Sequence, residues 1–92
     1  MKLDEKIRDR EIVYRFRGDA AIATELALLY YILAKRRNSR GKVDAACARS
    51  LHWLMKARIG IPEYLGRLSH GGQLEEIEKL LVEAKVNISS AR

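Results

Sequence analysis

Apolar and polar positions fall along this chain in blocks that read as helices. The run at 20–34, AAIATELALLYYILA, holds only two polar residues, Thr24 and Glu25. A surface helix in a small protein shows one apolar stripe and one wet face. This run is apolar nearly all round, so as a helix it needs cover on every side. Ile22, Leu26, Leu29 and Leu33 follow the spacing of a coiled-coil seam. Behind them Ala20, Ala23, Ala27 and Ala34 make a small-residue strip, interrupted by Tyr30, that lets a neighbouring helix come close. Leu28, Tyr31 and Ile32 then remain to be covered. Ninety-two residues offer little material for that. The pattern therefore predicts that Ile22, Leu28, Tyr31 and Ile32 meet a protein partner, a second copy or another chain. An uncovered apolar patch of that size would invite aggregation. The competing expectation is the central helix of a compact monomer.

The flanking segments predict further helices. Residues 3–17 carry dense mixed charge, and Leu3, Ile7 and Tyr14 share a helical face. Ile12, Tyr14 and Phe16 alternate with Val13, Arg15 and Arg17, as in a strand, but no second strand is evident for pairing, so helix is expected throughout. Gly18-Asp19 separates this element from the next, with Asp19 as N-cap. The central helix should reach about Arg37, its terminal cations answering the helix dipole. NSRGK at 38–42 reads as a loop with Gly41 at positive φ, and Asp44 as the N-cap of a helix to about Ile59. A weak stripe of Ala48, Leu51, Met55 and Ile59 marks its expected inner face. Gly60-Ile61-Pro62 breaks the chain, and Pro62 suits the first turn of a short helix through Leu68. His70-Gly71-Gly72 is a further break before a last helix from Gln73 to about Asn87. Its seam is Leu74, Ile77, Leu81, Ala84 and Ile88. The expected fold is all-α: a single domain forming a small antiparallel bundle of four main helices plus one short one.

Charge adds a direction. The chain carries +6 with a pI near 9.8, and the excess is local. KRRNSRGK at 35–42 holds five cations, and residues 35–58 hold eight against one acid, Asp44. Residues 73–84 are acidic, with Glu75, Glu76, Glu78 and Glu83 against Lys79. A basic tip of this kind displaces counterions from a phosphate backbone and gives affinity without sequence choice. Lys35, Arg36, Arg37, Arg40 and Lys42 are the expected nucleic-acid contacts, for DNA or RNA alike. Arg49, Trp53 and Lys56 lie three or four residues apart, share a face and extend that surface, where Trp53 could stack on a base. The same cations also suit an acidic protein or a solvated helix end.

Little points to catalysis. Glu25 would be costly to bury unless paired with Arg49, Arg58 or His52, and with two arginines it could bind a small anion; as a residue of an early helix turn it could equally face water. Cys47 is the sole cysteine, which removes an intrachain disulfide. His52 and His70 match no metal spacing. No phosphate-binding glycine loop or nucleophile motif is visible, so no cofactor and no metal are expected. Met1 is followed by charge rather than a signal-peptide core, and the apolar run is shorter than the roughly 20 residues a membrane span needs. A cytoplasmic chain without membrane contact is expected. The resulting expectation is a non-enzymatic accessory subunit that binds a protein partner and nucleic-acid phosphates. Its rivals are a pure protein-interaction module and a small helical enzyme built on Glu25.

Overall fold

The computed structural model describes residues 2–68 and 74–88, and those residues form an all-α fold. Its helices are α1 (Leu3–Arg17), α2 (Ala20–Arg36), α3 (Arg40–Lys56), α4 (Pro62–Leu68) and α5 (Leu74–Glu83). The glycine-histidine break at 70–72 and the expected start at Gln73 lie outside the described residues.

Helix α2 is the centre, packed most extensively on α3 and also on α1 and α5. One apolar cluster gathers Ile7 from α1, Leu65 and Leu68 from α4, Ile77 and Leu81 from α5, and the inner faces of α2 and α3. This cover corrects the expected partner interface. Ile22, Tyr31 and Ile32 are buried by the chain itself, and Leu28 is half-buried against the same core. Helices α1, α3 and α5 pack around what looked like more apolar surface than the chain could hide, and α4 closes onto α3.

The alanine strip does what small side chains allow. Ala23 and Ala27 are wholly buried, and Ser50 of α3 donates its hydroxyl to the Ala27 carbonyl at 2.8 Å. Ser50, with no exposed surface, is thereby satisfied. Thr24 is likewise settled locally, donating to the Ala20 carbonyl at 2.9 Å. The contacts of Ser50 with Ala27 and of Arg10 with Glu25 each fall at similar distances from the short connection joining their helices, which agrees with an antiparallel arrangement.

Helix ends follow cap chemistry. Asp19 caps α2 as expected, accepting from the Ala21 N–H at 2.9 Å. Gly18 turns the chain at φ 56°, a left-handed value that glycine adopts freely. At α3 the cap is Ser39, accepting from the Lys42 N–H at 3.3 Å, and not Asp44. Gly41 consequently lies inside the first turn of α3 rather than at positive φ. Serine caps as well as aspartate, and the earlier start satisfies backbone that a longer loop would leave to water. Helix α3 ends three residues before Ile59, and α5 stops at Glu83, well before Asn87. Both ends carry the double closure in which a left-handed residue satisfies the last carbonyls. Arg58 (φ 60°) donates to Met55 and Ile59 to Leu54; Lys85 (φ 63°) donates to Val82 and Val86 to Leu81. Ala84 therefore falls beyond the helix, while Ile88 reaches the core from the segment after it. The inner face of α3 is Ala46, Cys47, Ser50, Leu51, Trp53 and Leu54, so the stripe of Ala48, Met55 and Ile59 with Leu51 is rotated away from the true one.

Close approach at Ala27 has a measurable consequence. Ala27→Leu is expected to destabilise the fold by about 1–3 kcal/mol through overpacking. Ala20→Leu, on the exposed part of the strip, should stay within about 0.5 kcal/mol. Urea unfolding midpoints of the two variants check the difference.

Candidate nucleic-acid interface

Packing of α2 on α3 brings the basic segment together from two helices. Tyr30, Leu33 and Arg37 repeat at spacings of three and four along one face of α2 and just past its end. Lys42, Ala45, Ala46 and Arg49 do the same on α3. These seven residues line a groove of about 310 Å³. Larger side chains on α2 face alanines on α3, and the mismatch leaves the concavity. Its lining is apolar at Leu33, Ala45 and Ala46 and cationic at Arg37, Lys42 and Arg49.

Six of the eight anticipated contacts gather in two groups. Arg37, Lys42 and Arg49 converge on the groove, and Lys35, Arg36 and Arg40 stand exposed around the same tip. The Lys35 ammonium lies 5.7 Å from the centre of the Tyr31 ring. Lys56 is exposed at the opposite end of α3, outside the groove. Trp53 requires a correction. It is 8% exposed and packs edge-on against Tyr14, with ring centres 4.9 Å apart. His52 also meets the Trp53 ring edge-to-face, with ring centres 5.1 Å apart. Trp53 shares the inner face of α3 with Ala46 and Ser50, so it anchors α1 to α3 and is not free to stack on a base.

Two residues that the sequence pattern did not single out as functional hold the groove in place. Tyr30 donates its hydroxyl to Glu11 of α1 at 3.0 Å. Burial first, and then that hydrogen bond, push the Tyr30 phenol up to about 12, with Arg49 opposing. The phenol stays neutral, and its proton remains committed to Glu11. The signal was present in the alanine strip, where Tyr30 is the one large interruption. Its long-range partner was not.

Glu25 takes neither Arg49, Arg58 nor His52 as its partner. It lies 3.1 Å from the Arg10 Nε, both side chains about one-third exposed (35% and 34%). The N–H is not aimed at the carboxylate, so this is a Coulombic contact without a hydrogen bond. Glu25 lines neither this groove nor the smaller one at Arg58, Leu80 and Glu83. Cys47 is buried, and burial followed by the nearby Asp44 pushes its thiol up, away from reactivity. Among the described residues, no cluster of His, Cys, Asp and Glu could hold a metal ion, and no helix is long and apolar enough to cross a membrane. No protein-family model matches the chain, and no curated protein or solved structure does either.

The Tyr30–Glu11 tie should show in alkaline unfolding. The unfolded phenol ionises at 10.0, whereas the folded one keeps its proton to about 12. The folded state binds the extra proton between those values, so this contribution is complete below 10.0 and is lost as pH rises through about 12. Tyr30→Phe removes that dependence. Its stability deficit against the parent chain should shrink across this window, as read by denaturant unfolding at successive pH values.

Proposed function

We propose that this chain is a small, non-enzymatic accessory module that binds nucleic-acid phosphates through the tip formed by α2 and α3. The observation that carries the reading is the convergence of Arg37, Lys42 and Arg49 on one groove, with Lys35, Arg36 and Arg40 exposed beside it. Cations drawn from two helices and held by a packed interface are spaced more firmly than a single charged tail. A polyanion that neutralises them releases counterions, which gives affinity and strong salt dependence. The acidic residues of α5 leave the opposite sign of charge elsewhere on the chain.

A second reading, protein association, is favoured by one separate observation. Phe16 is 86% exposed and Ile12 46%, one turn apart on the same face of α1. A protein contact would then sit on α1 rather than on α2. Light scattering after size exclusion checks it: an oligomer that Phe16→Asp dissociates supports this contact, and a monomeric parent chain removes self-association.

For the primary reading, anisotropy titrations of a labelled oligonucleotide at several salt concentrations are decisive. The parent chain should show log affinity falling linearly with log salt. Replacing Arg37, Lys42 and Arg49 together with alanine should lower the magnitude of that slope by about 2–3, close to one per lost phosphate contact. Affinity indifferent to salt would rule out phosphate binding.

A further inference from the structure

We propose that the α2–α3 groove takes one unpaired nucleotide, its base against the apolar lining and its phosphate on the surrounding cations. This rests on the phosphate-binding reading and names the ligand class. A surface that only tracks the backbone of a duplex needs cations on an accessible face, and it gains nothing from a concave apolar wall between them. Here Arg37, Lys42 and Arg49 share their groove with Leu33, Ala45, Ala46 and Tyr30. A bare inorganic anion would leave that apolar lining wet. A purely apolar ligand would have to displace water from three cations and give them nothing in return. A planar base joined to a phosphate satisfies both halves.

Size and rigidity agree with a single unit. The volume of about 310 Å³ lies at the lower end of the 300–1,000 Å³ typical of small-molecule sites. Bases in a duplex are stacked and paired and do not enter such a groove without first being unpaired and extruded. Unpaired bases enter freely and gain from an aromatic or apolar surface of any sequence context. Tyr30 is an aromatic side chain whose hydroxyl is tied down by Glu11 at 3.0 Å, so little of its freedom remains to be lost on binding. The nucleotide could belong to a single strand or be free in solution, and the chemistry recognised is the same.

The test compares three probes on the full chain: a single-stranded oligothymidylate of about 12 nucleotides, a duplex of equal length, and a free nucleoside monophosphate. Ala45 is exposed on α3, so Ala45→Trp should fold while its ring fills the groove and leaves every cation in place. Far-ultraviolet dichroism verifies the fold, and Ala45→Gln serves as a smaller obstruction should the tryptophan perturb it. The expected result is preference for the single strand over the duplex, with Ala45→Trp weakening single-strand binding by about tenfold, the scale of one lost stacking contact. Duplex binding should barely change. Competition by the monophosphate at equal concentration would assign the site to free nucleotides, and its failure to compete would assign it to a strand. Equal, salt-dependent binding of both oligonucleotides, unaltered by either Ala45 variant, would overturn the unpaired-nucleotide inference and leave phosphate binding standing. Absence of salt-dependent binding to any probe would overturn both.

Discussion

The close contact between α2 and α3 is the constraint on which the rest of this structure depends. It exists because Ala23 and Ala27 present almost no side chain, and because Ser50 has a hydroxyl short enough to reach the Ala27 carbonyl at 2.8 Å. A hydroxyl buried without a partner would cost about 1–3 kcal/mol, so this hydrogen bond also sets the rotation of α3. With that rotation fixed, Cys47, Leu51 and Leu54 turn inward, and Lys42, Ala45 and Arg49 turn toward the groove.

Helix α1 is attached differently. Only Ile7 is fully buried, with Leu3, Val13 and Tyr14 partly covered. Much of its placement is directional: Glu11 accepts from Tyr30, Arg10 meets Glu25, and Tyr14 meets Trp53 edge-on. Such contacts fix orientation more than they supply stability, since ion pairs left partly in solvent contribute little. Helices α4 and α5 use a similar device, with Tyr64 donating to Glu76 at 2.7 Å. That hydrogen bond is also the first cause of the raised Tyr64 phenol. In both places a tyrosine on one helix reads a glutamate on another.

Charge and shape coincide at the α2–α3 tip for a physical reason. Cations at the end of α2 are favoured by its dipole, and the chain must turn immediately afterwards into α3. A short connection forces the next cations, Arg40 and Lys42, onto the same end of the molecule. Arg49 follows from helical periodicity, seven residues after Lys42. Basic character and the groove thus share one cause, a tight connection between two packed helices, and the proposals for nucleotide and phosphate binding draw on that shared origin.

Much of the architecture was legible along the chain. Periodicity together with break and cap residues located the five helices, Asp19 announced its own cap, and Pro62 marked the start of α4. These are local matters, decided within one turn by spacing and backbone chemistry. The clustering of Lys35, Arg36, Arg37, Arg40 and Lys42 was equally local. What tertiary packing decided was which faces meet. The cap of α3 fell to Ser39, its inner face included Trp53, and the face of α2 expected to await a partner was closed by the chain itself. Glu11 under Tyr30 and Arg10 beside Glu25 join residues on different helices, and no spacing along the sequence encodes such pairs. Composition along one helix counts how much apolar surface must be hidden. Only the three-dimensional arrangement shows how much cover the apolar faces of α1, α3 and α5 provide when they converge on it.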